Sequence, residues 1–574
     1  MKRVLLFMFL CSQCLWVSAQ KKAPKWIDKA QKAVISITTT NKTGKQLTGT
    51  GFFISQTGEA VASYDLFEGA VQATVTDSEG KTFPVEHILG ADELYDVVKF
   101  KVAVPKKPAS LAIAAEPVAN GTEVYMLPYS TDKKPNFLSG AITEVSNLKD
   151  SYKYYKLNIP FDTNNLSAPL LTPEGEVLGL AQADASGNKD VCYALSAGYA
   201  NSLAIASADF LNAVYNNIGI KKAWPADVDQ ATVALYLVNS SQTPEKQLET
   251  INDFIATFPD NSEGYLSRSN LYAYNRATFG KTPAEQEKYL TMALEDIKTA
   301  SKYSDKKGDG YFNQAKLVLG VAANDTTLTN PAWTLDASLD AVQKAIKEED
   351  LPAYRQLEGD IYLAKGQFKE AYDDYMLVNN SDLASASSYY YAAKILENIT
   401  GFNIGDVISL LDKAIEKAQA ANNPELPTYV LERIDWKLRL SQYTQAIADY
   451  DLYYDLMGGR VNAQFYYLRE QAKFRAGDLE GALKDIQEAI KNSSETPDFY
   501  AEEASVYVRM QKYAEALESI NNALKIAPDF AACYRLRGVC YVRMEKKAEA
   551  CEAFKKAKEL GDPVADKLIK EHCK

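Results

Sequence analysis

The stretch FYAEEASVYVRMQKYAEALESINNALKIAPDF, from Phe499 to Phe530, decides the fold of more than half of the chain. Ala516, Ile520 and Ala523 fall four and then three residues apart, the spacing of one face of a helix. The face returns 34 residues earlier as Ala482, Ile486 and Ala489, and 34 residues later as Ala550, Phe554 and Ala557. Upstream of each, Tyr466, Tyr500 and Tyr534 keep the same period, and Tyr507 and Tyr541 follow their partners by seven residues. These mark a first helix. Ala504 and Gly538 face Ala516 and Ala550 across the hairpin, and small residues there let the two helices approach closely. Pro528 comes where the second helix must stop. A fixed period of this length marks units that bury a face only by stacking on their neighbours. Helical repeats are therefore expected over residues 229–570, clearest over 463–562. Gly359, Tyr362, Ala371 and Tyr375 draw another unit, and Ala446 with Tyr450 a further one. Long connectors such as Asn275 to Gln286 bring the expected number to about eight.

These residues resemble the tetratricopeptide repeat (TPR) family. The resemblance implies an all-α solenoid with a groove for a protein or peptide. Arg475, Arg509 and Arg543 recur at one repeat position near the end of each first helix, and a row of guanidinium groups offers forked donors to carboxylates. They are the candidate binding residues.

From Val34 to about residue 200 the pattern differs. Short runs such as VISIT (34–38), VQATVT (71–76), VVKFKV (97–102) and VLGLAQA (177–183) alternate with turns such as Asp77-Ser78-Glu79-Gly80. That spacing predicts an antiparallel all-β sandwich or barrel. Residues 200–215 read as one closing helix, and 216–228 as a linker.

Several β segments, spanning residues 28–215, resemble trypsin-like proteases of the high-temperature-requirement (Htr) type. Gly49-Thr50-Gly51-Phe52-Phe53-Ile54-Ser55 matches one family strand, and Asp96-Val97-Val98-Lys99-Phe100-Lys101 matches the strand of the catalytic Asp. Between them, Asp65 stands at the position of the catalytic His. The loop Asn164-Asn165-Leu166-Ser167-Ala168-Pro169-Leu170 stands where the family carries its nucleophile, and counting back from Pro169 puts Leu166 there. A loop one residue shorter would bring Ser167 to that place. The resemblance thus implies an N-terminal trypsin-like double β-barrel whose triad positions are Asp65, Asp96 and Leu166. Leucine cannot attack a carbonyl, and a carboxylate is a feeble base at neutral pH. Asn164 and Ala168 replace two glycines of the loop that aims the family's oxyanion donors. Asp65 and Asp96 would lie together, as a solvated pair of turn residues, a chance cation site, or a pair sharing a proton.

Composition narrows the remainder. The 574 residues carry 63 Lys and Arg against 75 Asp and Glu, a net of −12, which disfavours nucleic acid as a partner. Two histidines, His87 and His572, leave little for imidazole chemistry. No phosphate loop, dinucleotide fingerprint or zinc-protease motif occurs, so neither cofactor nor metal is expected. Residues 1–19 read as a secretory signal peptide: Lys2 and Arg3, the apolar run Val4 to Phe9, then Val17-Ser18-Ala19 at the cut. Cys11 and Cys14 make a lipoprotein the alternative, although Leu10 and Gln13 precede them where a small residue belongs. No later run approaches the ~18 apolar residues of a membrane span. The chain is expected in the periplasm or secreted. Cys192, Cys533, Cys540, Cys551 and Cys573 are too few for a disulfide framework, and whether the last four include a disulfide stays open. The expected function is an exported protein-binding scaffold or adaptor joining an inactive trypsin-like domain to TPRs. The alternatives are an active serine endopeptidase with a rearranged site, and a structural subunit of an envelope or secretion complex.

Overall fold

The computed structural model describes residues 23–574 apart from 133, 135 and 150. The expected signal peptide, residues 1–19, lies outside them. The chain forms two compact units, meeting in sequence between Tyr303 and Ser304.

The first unit opens with two closed antiparallel barrels of six strands each. Strands β1 (Val34–Asn41), β2 (Gln46–Phe53), β3 (Glu59–Ala62), β4 (Ala70–Thr76), β5 (Thr82–Asp92) and β6 (Val97–Val102) close in the order β1-β2-β3-β6-β5-β4. Strands β7 (Glu123–Met126), β8 (Leu138–Asn147), β9 (Lys153–Leu157), β10 (Pro169–Leu171), β11 (Val177–Gln182) and β12 (Cys192–Ser196) close as β10-β11-β12-β9-β8-β7. The two-residue period of a strand divides the side chains between two cores. Phe53, Ile35, Ile37 and Phe100 fill the first barrel. Their neighbours Phe52 and Val34 point the other way and pack with Val97, Leu171, Leu180 and Leu195, so strands of both barrels share this second core. Fully burying each such side chain contributes roughly 1.5–3 kcal/mol. Gly51 is required by close packing in the sheet: a Cβ there would meet Ile37 Cδ1 and the Val61 carbonyl at 2.7 Å.

The single closing helix expected at 200–215 is broken. Helices Ala197–Ser202 and Ala213–Asn216 flank a 3-10 turn at Ser207–Phe210. Asp209 accepts the Ala206 N–H at 2.8 Å and Asn212 that of Val214 at 3.0 Å. Short polar side chains that bond local backbone in this way compete with helix continuation. The expected linker is partly pinned: Ile88 N–H donates to Lys221 O at 2.8 Å and Ala223 N–H to Ile88 O at 2.9 Å, adding these residues to β5.

The rest of the first unit is helical, with Val228–Asn239, Pro244–Thr257 and then the paired helices Ser262–Tyr274 and Pro283–Ala300. The second unit stacks seven helical hairpins among the described residues, from Asp309–Ala322 with Leu335–Glu348 to Ala531–Arg543 with Lys547–Glu559. With the pair in the first unit that makes eight. The small positions read in the sequence lie in the hairpin contacts: Ala504, Ala516 and Ala550 are all 0% exposed. A Cβ on Gly538 would stand 2.4 Å from the Phe554 ring. Helix Ala565–His572 follows, and Cys551 is joined to Cys573 by a disulfide, while Cys533 and Cys540 are buried and free.

Candidate functional site

Asp96 precedes β6 at φ 45°, a left-handed conformation that Asp tolerates better than most residues. Its Oδ1 accepts the Ser63 hydroxyl at 2.6 Å and the Asp65 backbone N–H at 2.9 Å. Burial pushes the Asp96 carboxyl above its usual range, and these hydrogen bonds oppose that shift. The side chain of Asp65 is exposed. Among the described residues the two carboxyls do not bond to one another, which leaves the shared-proton arrangement without a contact. From the second barrel, Gln182 donates its amide to the carbonyls of Tyr95 at 2.7 Å and Asp96 at 3.4 Å, and accepts the Tyr154 hydroxyl at 2.8 Å.

The loop before β10 forms a 3-10 turn at Thr163–Asn165. Asp162 caps it, accepting the Asn164 N–H at 2.8 Å, and the Leu166 N–H donates to Thr163 O at 3.3 Å. Leu166 is half-buried. Ser167 is buried at φ 60°, and its N–H donates to Ala181 O at 2.8 Å, so its backbone is tied to β11. The Thr50 hydroxyl of the first barrel reaches the Asn164 carbonyl at 3.4 Å. Thr50 and Gln182 thus tie the loop and Asp96 to the opposite barrels.

Residues 49–180 match a trypsin-like peptidase domain, and residues 497–530 match the tetratricopeptide repeat. The double barrel is a trypsin-like peptidase domain. The active form of the Rv3671c protease from M. tuberculosis is similar at 22% identity, over 36% of this chain and 87% of that one, with a TM-score of 0.28. The HtrA-type protease AlgWS227A with a tripeptide is similar at 17% identity, over 30% of this chain and 60% of that one, with a TM-score of 0.27. No curated protein matches the chain.

Within the trypsin-like domain, His87 sits in β5 opposite Lys101. Burial, then Lys221, hold its imidazole below the usual range. Its charged neighbours Lys221, Asp253, Glu86 and Lys101 include none of the residues at the barrel junction. In the helices, Arg509 and Arg543 line one open groove of about 540 Å³ with Phe474, Val508 and Val539. Arg475 instead places its guanidinium 5.9 Å from the centre of the Tyr443 ring.

Sequence reasoning missed Ser63, Gln182 and the Asp162 cap. It also missed a ladder of buried ion pairs. Arg433 forks onto Asp449 at 2.9 and 2.6 Å, with Lys437 on the same carboxylate at 2.8 Å. Arg469 forks onto Asp485 at 2.8 and 2.7 Å, with Lys473 at 2.8 Å. The signal was present, because all three residues recur together 36 positions on.

Proposed function

We propose that the protein is an exported protein-binding scaffold or adaptor, in which the trypsin-like domain cleaves no peptide bond and the helical hairpins hold a protein or peptide. Leu166 carries this reading. At the position where the family resemblance puts the nucleophile stands a hydrocarbon, and Asp65 stands where a base must take and return a proton. The trypsin-like template also aims two backbone N–H groups, from the nucleophile and the residue two before it, at the developing oxyanion. The Asn164 N–H is engaged by Asp162 and the Leu166 N–H by Thr163. Ser167, the alternative nucleophile, is only 3% exposed.

The groove of Arg509 and Arg543 supports the partner reading, since two guanidiniums beside Phe474, Val508 and Val539 suit an acidic, partly apolar segment. Among the described residues no helix is long and apolar enough to cross a membrane. The Cys551–Cys573 disulfide favours an oxidising compartment, in line with the signal-peptide reading. A fluorophosphonate probe tests the domain: no labelling is expected, and covalent labelling of any serine would overturn the inactive reading. Crosslinking in intact cells, then mass spectrometry, tests the groove. Arg509→Ala with Arg543→Ala is expected to lose the partner, and capture equal to the parent would contradict it.

A further inference from the structure

A cleft of about 680 Å³ opens where the first barrel hands the chain to the helices. One wall is rigid and apolar. Phe210 and Trp224 stack with ring centres 5.3 Å apart, and Trp224 stands edge-on to the buried Phe254 at 5.3 Å. Trp224 is locked further by its indole N–H, which donates to Asp253 at 2.8 Å.

The charges lining this cleft do not balance. Lys221 pairs with Asp253, and Lys246 with Glu249 at 2.6 Å. Lys222 is left over. Its ammonium donates to the Asn216 side-chain oxygen at 3.0 Å and lies 5.9 Å from the centre of the Phe210 ring, and among the described residues no carboxylate pairs with it. Burial alone holds this amine below the usual lysine range, which agrees with the missing counter-charge. A half-buried ammonium whose partners are an amide oxygen and a ring face is under-solvated, and an anion would relieve it. One uncompensated cation suits one negative charge; a phosphate dianion would bring more than the cleft offsets. Thr250 lines the cleft from the facing helix, its hydroxyl donating to Gln242 Oε1 at 2.9 Å.

We propose that this cleft binds a monoanionic ligand with an apolar body, its carboxylate on Lys222 and its body against Phe210 and Trp224. The size fits, because clefts of about 300–1,000 Å³ hold small molecules. The carboxylate could belong to a free organic acid or to the terminus of a peptide ending in an apolar residue, and the same experiment separates the two.

Saturation-transfer NMR on the full chain would use 3-phenylpropionate and its amide, and N-acetyl-Ala-Phe as free acid and as amide, each at about 10 mM. At least one acid is expected to bind while its amide does not, and which acid binds identifies the source. Lys222→Met should weaken binding by at least about tenfold, the scale of one charge-assisted hydrogen bond, and Lys222→Arg should restore it. The bound acid should also slow acylation of Lys222 by an N-hydroxysuccinimide ester, followed by peptide mass spectrometry, more than that of Lys246. Equal binding of acid and amide, undiminished binding to Lys222→Met, or no binding by either acid would overturn the proposal.

Discussion

The Asp162 carboxylate accepts the backbone N–H of Asn164 at 2.8 Å, so the loop before β10 satisfies its own donor. Placing His and Ser at the proposed triad positions therefore leaves the loop closed. Asp65→His with Leu166→Ser is expected to hydrolyse chromogenic peptides no faster than the parent. Adding Asp162→Ala and Asn164→Gly frees the donor, and since one oxyanion donor is worth about 10²–10³ in rate, the quadruple variant should exceed the double by at least about tenfold. Equal rates for the two would show that the cap is not what closes the loop.

The ion-pair ladder stops at a defined place. One 34-residue period after Arg469 and Asp485 stand Glu503 and Ser519, whose hydroxyl donates to Glu503 at 2.8 Å. Ser519 is 4% exposed, so Ser519→Asp forces a second carboxylate into a buried site and should cost about 3 kcal/mol or more. Glu503→Arg in the same chain rebuilds the forked pair seen one hairpin earlier and should recover most of that loss. Urea melts of both variants check this, and equal destabilisation would contradict it.

Glu470 occupies the repeat position of Ala504 and Gly538, is 0% exposed, and leaves Oε1 without a hydrogen-bond partner. Burial, then the neighbouring Glu502, push its carboxyl up to about 8. Burial, then Glu358, push Asp374 up to about 7. A carboxyl whose folded value lies above its unfolded one, near 4, binds its proton more tightly when folded. Its contribution is therefore fully present below about pH 4 and is lost as pH rises toward 8, by at most about 1.4 kcal/mol per pH unit for each group. Thermal melts should show Glu470→Gln gaining stability over the parent at about pH 8.5 and not at about pH 4. An unchanged pH slope in the variant would contradict this.

Ala516 and Gly538 test the hairpin packing. Ala516→Arg drives a charge into a contact that is 0% exposed and should cost at least about 3 kcal/mol. Gly538→Ala sets a methyl 2.4 Å from the Phe554 ring and should cost about 1–3 kcal/mol. Circular dichroism melts that matched the parent within about a degree would remove both residues from the contact, since 1 kcal/mol shifts a midpoint by several degrees.

The repeats were legible because a packed small residue must return at each turn of the solenoid: Ala482, Ala516 and Ala550 announce themselves by period alone. The barrels were legible from strand alternation and from the order of segments around Gly51, Asp96 and Pro169. What stayed hidden depends on local polar bonds that carry no period. Asp209 and Asn212 break the expected closing helix by bonding backbone three and two residues away, and Asp162 engages a donor that the loop's residue types alone left open. Glu470 broke the small-residue rule in plain view, but only its burial shows the consequence. Arg475 shares its repeat position with Arg509 and Arg543, yet the Tyr443 ring draws it aside, a contact between hairpins that spacing does not encode.

Cleavage of casein and of a peptide library by the purified protein, beside an Asp96→Ala variant as control, reads whether the trypsin-like domain hydrolyses a peptide bond. Parent and variant are expected to be equally inactive, because Leu166 offers no nucleophile and the Asn164 and Leu166 N–H groups are engaged within their own turn. Cleavage by the parent that Asp96→Ala abolishes would contradict the account.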